Sequence, residues 1–395
     1  MTRVSKQIRN WFGSSRTTSK PRRRTQLSVE QLGERLLPSA NTLAGEGVLA
    51  GHGQAMVIDS NSNVYLAVDQ LGKPAQYIST NFQASEVALG TDVNGRDEFW
   101  AVDFSHHVFH FDGHQWQQTG SQSLGYIVAG HGKVFATDAS GYLWQLDDGP
   151  GNSWHMKGAV RLERGWAWMS YTPAGADGHD ALFVERYGDM EVFEYSPSLG
   201  NWTDTGASYI FALTATSFGA IGTDQNDHLT HYLANKPQNG WFCSSGVYSV
   251  NPNAGFQADS AGNLWYVDRN ALLHEYQFID VNHEKVTDWW GNYYDYIQVG
   301  PNGMIFGLQT GGSNDVFELN TGNDREQFMG TLAFGGTNWF SAGTGLDGGP
   351  ELWEVNTDSF GDRLLNEFSY LQSTPNGIQY YVGCLYFNWW PIILW

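Results

Sequence analysis

A five-residue phrase that returns about every 41 residues constrains this chain more than any other feature. The phrase is apolar, aromatic, any residue, apolar or aromatic, then Asp, Asn or Ser. It occurs as Val108-Phe109-His110-Phe111-Asp112, Leu143-Trp144-Gln145-Leu146-Asp147 and Val192-Phe193-Glu194-Tyr195-Ser196. It returns as Leu264-Trp265-Tyr266-Val267-Asp268, Val316-Phe317-Glu318-Leu319-Asn320 and Leu352-Trp353-Glu354-Val355-Asn356. Looser copies sit at Tyr65 to Asp69 and Leu229 to Leu233. A period of this length is that of a propeller blade, and it counts eight units.

Each copy follows a second strand and a tight turn. Phe135 to Asp147 reads FATDASGYLWQLD, Phe256 to Asp268 reads FQADSAGNLWYVD, and Met56 to Asp69 reads MVIDSNSNVYLAVD. Asp, Ser, Asn and Gly supply the turn between two half-buried strands of alternating character. A further Trp often comes next, as at Trp116, Trp154, Trp202, Trp241 and Trp289, and belongs on an outermost strand. Four short strands per unit make an all-β propeller of four-stranded blades. Blades bury their faces only by stacking, which demands large flat side chains at equivalent positions. Eight blades fit best, and seven or nine also fit, because a spare strand-like phrase, Leu272 to Ile279, follows Trp265. The last segment, Phe368 to Trp395, reads as a partial unit that could pair with the first blade near Val48 to Ile78.

Charge divides the chain at residue 45. Residues 1 to 45 hold nine basic side chains against Glu30 and Glu34, which leaves a net charge of −27 for residues 46 to 395 out of −20 overall. The expected organisation is a basic tail or targeting segment over 1–45 and a propeller over 46–395. A strongly acidic domain repels phosphate backbones, so nucleic acid is not an expected partner. No run reaches the roughly 18 apolar residues of a membrane-spanning helix. The two cysteines, Cys243 and Cys384, read as buried free thiols, with a single bridge as the alternative.

The segment Leu27-Ser28-Val29-Glu30-Gln31-Leu32-Gly33-Glu34-Arg35-Leu36-Leu37-Pro38-Ser39 follows a basic run ending at Arg24. It resembles a recurring N-terminal segment of planctomycete exported proteins, with Gly33 standing where an acid is usual. The resemblance implies an extracellular or cell-envelope destination. The repeats are loosely similar to bacterial secreted propellers, including the tectonin and tachylectin-type sugar-binding propellers. The Gly-His and Trp-Asp signature of WD40 repeats does not recur per unit.

Chemistry-bearing motifs are sparse. Asp59-Ser60-Asn61-Ser62-Asn63 begins like a calcium loop but has Val64 where Gly is needed and Gln70 where a bidentate Glu belongs. His106, His107, His110 and His114 fall within nine residues, and His106 and His110 share a strand face. No nearby carboxylate or Cys completes a metal ligand set. His52 and His131 each lie within Ala-Gly-His-Gly at equivalent places in two units. No nucleophile elbow or phosphate loop appears. Among the acids, Asp97, Glu98, Asp103, Glu185, Asp189 and Glu191 could supply a glycosidase pair.

The expected function is an exported, non-catalytic binding propeller without metal or cofactor. Its ligand would be a carbohydrate or another envelope polymer, with His52, His131, His106, His110, His114 and Trp116 as candidate binding residues. The alternatives are a protein-interaction or surface-structural scaffold and, third, a polysaccharide-acting enzyme.

Overall fold

Aromatic and β-branched side chains alternate with polar ones through every copy of the repeat, and the chain answers with strands. The computed structural model describes residues 41–384 except 45–46, 60, 71–72, 148–152, 159–168, 174–178, 187–189, 236–239, 244–249, 252–255, 260–262, 281–282, 289–292, 301–303, 310–314, 321–324, 332–338, 347–348, 358–362 and 370–377. The motif at 27–39, Trp289 and the stretch after Cys384 lie outside the described residues.

The described strands fall into eight antiparallel sheets, each built from four consecutive strands. They span residues 47–83, 86–118, 124–158, 169–207, 211–243, 256–288, 294–331 and 339–384, numbered here as blades 1 to 8. Consecutive antiparallel strands make each sheet a meander, so the first and third turns of every blade share one face of the ring. We call this the lower face; the second turns and the links between blades lie on the upper face. The first strands of neighbouring blades pack together around the ring, from blade 1 through blade 8 and back to blade 1. The molecule is therefore a β-propeller of four-stranded blades.

The core confirms how the blades meet, because each buried apolar cluster belongs to one seam. Leu49, Met56 and Ile58 of blade 1 pack on Val87, Leu89 and Phe99 of blade 2. At the far end of the chain, Trp353 and Val355 of blade 8 pack on Val48, Ala55 and Val57 of blade 1. Such clusters occupy all the seams between these sheets. Burying flat sheet faces against one another is what the aromatic content provides for, and Trp100, Trp265 and Trp353 are fully buried.

Three local expectations change. The repeat phrase forms the third strand in most blades but the second strand in blades 6 and 8, as Leu264–Val267 and Pro350–Thr357. Alternation fits either position, and a turn residue on each side lets the neighbours decide. The spare phrase after Trp265 is the third strand of blade 6, Leu273–Asp280. The last described segment, Ile378–Cys384, completes blade 8 by pairing with Arg363–Ser369 and does not join the sheet of blade 1. A different strand is shared instead: Asn41–Ala44 pairs antiparallel with Glu86–Thr91, extending blade 2 at its inner edge.

Candidate functional site

The candidate residues do not assemble into one site. His52 and His131 sit in the first turns of blades 1 and 3, and His114 and Trp116 flank the third turn of blade 2, all at the lower face. His106 lies in the second turn of blade 2, at the upper face, and His110 lies within the third strand of that blade.

Each of these positions has a local cause. His106 adopts a left-handed conformation, φ 62°, as the fourth residue of an aspartate turn. Asp103 starts that turn by accepting from the amides of Ser105 and His107 at 2.9 and 2.8 Å. The same geometry closes Asp59 to Asn63, Asp138 to Tyr142 and Asp224 to His228. The second carboxylate oxygen then receives a ring from its own blade: Asp138 accepts Trp144 Nε1 at 2.9 Å and Asp259 accepts Trp265 Nε1 at 3.1 Å. These carboxylates are spent on their own backbones, which is why they resemble calcium loops without being built as such. Among the described residues, no three His, Cys, Asp or Glu side chains are placed to hold a metal ion.

Ala-Gly-His-Gly is a junction between blades. Gly53 N donates to Thr344 O at 2.6 Å across the closing seam, and Gly132 N donates to Thr91 O at 2.6 Å across the seam between blades 2 and 3. His52 N donates to the Asp97 carboxylate, and His131 N to Thr91 Oγ1 at 3.3 Å. The main chain of this motif is thus committed, while the ring of His52 is exposed and that of His131 half-buried. His110 is buried beside Trp100, ring centroids 4.5 Å apart, with Nε2 at 3.6 Å from Glu98. Burial holds the His110 imidazole below its ordinary range. Burial, reinforced by Asp92, pushes Glu98 up to about 7.

Trp116, a binding candidate, and the other described tryptophans that follow the phrase are used between blades. Trp116 lies between Phe82 and Phe111, at centroid distances of 4.8 and 5.1 Å. Trp154 Nε1 donates to Thr119 Oγ1 at 3.2 Å, Trp202 Nε1 to Lys157 O at 2.9 Å and Trp241 Nε1 to Thr205 Oγ1 at 2.9 Å, each pinning one blade to its predecessor. The aromatic side chains left exposed are others: Phe104, Tyr209 and Tyr293 are each more than half exposed. Phe104 is in a second turn, while Tyr209 and Tyr293 are in links between blades, so all three belong to the upper face. Sequence reading missed them because none stands in the repeat phrase. Their signal was position, an aromatic residue inside a turn where packing does not ask for one.

The carboxylates considered for catalysis are divided between the faces. Asp97 and Glu98 begin the second strand of blade 2 at the lower face, whereas Asp103, Glu185 and Glu191 lie toward the upper face. Glu191 pairs with Arg186, Asp103 caps its own turn, and Asp189 is outside the described residues. Glu185 is buried, and burial pushes it up to about 7. Cys243, expected to be buried, is an exposed free thiol on the outer strand of blade 5.

No protein-family model matches the chain, and no curated protein does either. Its fold is similar to that of solved structures. Saccharomyces cerevisiae Sqt1 matches over 80% of this chain and 94% of its own, with 11% identity and a TM-score of 0.50. The beta-propeller domain of Myceliophthora thermophila Cps50 (Swd1) matches over 85% and 100%, with 9% identity and a TM-score of 0.44. The extracellular domain of a putative hybrid two-component system from B. thetaiotaomicron matches over 76% and 40%, with 13% identity and a TM-score of 0.40.

Proposed function

We propose that this propeller is a non-catalytic protein-interaction scaffold that receives a basic partner on its upper face. The observation that carries the reading is the division of aromatic residues. Those of the repeat are packed between blades, whereas Phe104, Tyr209 and Tyr293 stand exposed on one face. Exposed aromatic anchors set in a polar rim are how protein surfaces concentrate binding energy. The acidic balance of residues 46 to 395 adds long-range attraction for a basic partner and makes its capture salt-dependent. Sugar stacking is the weaker reading, since both neighbours of Trp116 are protein rings.

The test is binding of the full chain to arrays of basic, neutral and acidic peptides and to soluble polysaccharides, at low and high salt. Binding of basic peptides that weakens with salt and is lost in Phe104→Ser, Tyr209→Ser and Tyr293→Ser is the expected result. Saturable glycan binding that survives these three substitutions would overturn it. An envelope or extracellular location, implied by the resemblance at residues 27–39, is part of the same proposal and is tested by cell fractionation.

A further inference from the structure

Four second turns of the propeller reach forward to the next blade through the same backbone joint. In each, the fourth residue of an aspartate turn is left-handed: Ser62, His106, Asp227 and Ala271 have φ of 63°, 62°, 60° and 66°. The amide of each donates back to the carbonyl of the aspartate that starts its turn, at 2.8, 3.0, 2.9 and 3.0 Å. The carbonyl of each accepts an amide from the entry to the following blade: Ala84 at 3.0 Å, Leu124 at 2.7 Å, Val250 at 2.9 Å and Tyr294 at 2.8 Å. None of the four is glycine, the residue that left-handed backbone favours, so bonds on both sides hold the conformation.

Two of the exposed aromatic side chains are mounted on these joints. Phe104 stands inside the turn that His106 closes, and the Asp103 carboxylate holds the amides of Ser105 and His107 just beyond it. Tyr293 directly precedes Tyr294, whose amide is bonded to Ala271. The Tyr294 side chain is itself fully buried and its hydroxyl donates to Glu326 at 2.6 Å, which fixes the backbone beside Tyr293 a second time. Tyr209, the third exposed aromatic residue, is left-handed in its own right, with φ 59°.

We propose that His106 and Ala271 are positioning residues for recognition: their left-handed joints set the direction in which Phe104 and Tyr293 meet a partner on the upper face. The role rests on the reading of that face as the docking surface for a basic partner. A side chain already in place loses little freedom on binding, which is how a rigid anchor gains affinity. The joint at Ser62 has the same geometry, but its turn, Asp59 to Asn63, contains no Phe, Tyr or Trp. It therefore separates the general effect of a broken joint from the effect on an anchor.

The full chain is labelled with 4-fluorophenylalanine at 104 or 3-fluorotyrosine at 293 and read by fluorine NMR. Fluorescein-labelled nona-arginine, whose guanidinium groups stack on aromatic faces, is titrated in parallel. Ala271→Val opposes left-handed backbone, since a β-branched residue is an outlier there. It should move the resonance at 293 towards its unfolded-state position and weaken peptide binding by about tenfold. His106→Val should do the same at 104. Ala271→Gly and His106→Asn tolerate the left-handed conformation and should leave the resonances in place. Ser62→Val should leave both resonances and the affinity unchanged. Where a valine variant folds poorly, threonine at that position is read in the same way. Unmoved resonances in the His106 and Ala271 variants, or an equal loss of affinity in Ser62→Val, overturn the positioning role. Resonances that move as stated, in a protein that never binds nona-arginine, sink the basic-partner reading instead.

Discussion

The hydroxyl of Tyr232 donates to Glu194 at 3.1 Å across the seam between blades 4 and 5. These residues hold the fourth and third positions of consecutive copies of the repeat phrase. The relation recurs one blade earlier, where Tyr195 donates to Gln145 at 3.3 Å; one blade later the tyrosine comes from the strand after the phrase, and Tyr276 lies 3.4 Å from His231 Nδ1. Position three of the phrase is thus a polar contact that ties each of blades 3, 4 and 5 to the next. Tyr232→Phe keeps the ring in the core and deletes the bond, so it should cost about 1 to 2 kcal/mol. A shift of the urea midpoint with unchanged slope is the measurement.

Ring closure rests on a seam without a shared strand, so Trp353 should matter more than its place near one end suggests. Its ring is fully buried between blades 8 and 1, and Nε1 donates to Glu351 Oε2 at 2.9 Å. Trp353→Ala should destabilise the propeller by about 3 to 5 kcal/mol. Phe104→Ala removes an exposed ring and should leave the midpoint within about 0.5 kcal/mol. Equal effects from the two in a urea titration would contradict the assignment of core and face.

The fold was legible because a propeller writes its period into the chain. An alternating strand, an aspartate turn and an aromatic phrase recur with the spacing of one blade, and the stretch from Phe135 to Asp147 shows all three. What the phrase cannot encode is which strand of a blade it becomes. Leu264–Val267 is a second strand only because Leu273–Asp280 is available to pair outside it. The position written as any residue was misread for a related reason. Gln145, Glu194 and His231 differ in chemistry, and only the neighbouring blade reveals that each meets a tyrosine. At His106 a turn conformation, and at His52 and His131 a backbone junction, leave the same trace in sequence as a ligand would. Asn41–Ala44 carries no repeat signal, and its pairing uses the inner edge of a sheet that starts some forty residues further along the chain.

The junction motif makes a sharp prediction at Gly132. Its φ is 72°, and a Cβ there would come within 2.6 Å of Val93 Cγ1 in the preceding blade. Gly53 repeats the arrangement with φ 64° and would collide with Leu346. Gly132→Ala should therefore cost about 1 to 3 kcal/mol from strain and collision together. Gly95→Ala, with φ 76° and open space around it, carries the strain alone and should cost less. Thermal melting of the two variants in parallel separates the contributions.

His231 should make the propeller sensitive to acid. Its ring is 1% exposed, stacked with Phe242 at a centroid distance of 5.5 Å, and burial pushes its imidazole down to about 4 from 6.5. The unfolded chain takes up a proton near pH 6.5, whereas the folded protein resists until about pH 4. Stability from this residue is complete above the ordinary value and is lost as pH falls through that window, by about 3 kcal/mol in all. The raised carboxylates Glu86, Glu98 and Glu185 act in the opposite direction, becoming more favourable as pH falls toward 4.5. The whole-protein profile therefore mixes the two, and the informative quantity is the difference between the unsubstituted protein and His231→Gln. That difference should shrink steadily from pH 7 to pH 4 in urea titrations, because the variant has no proton to gain. A difference independent of pH would mean that the ring is reached by solvent and that the seam between blades 5 and 6 is looser than the Tyr276 contact implies.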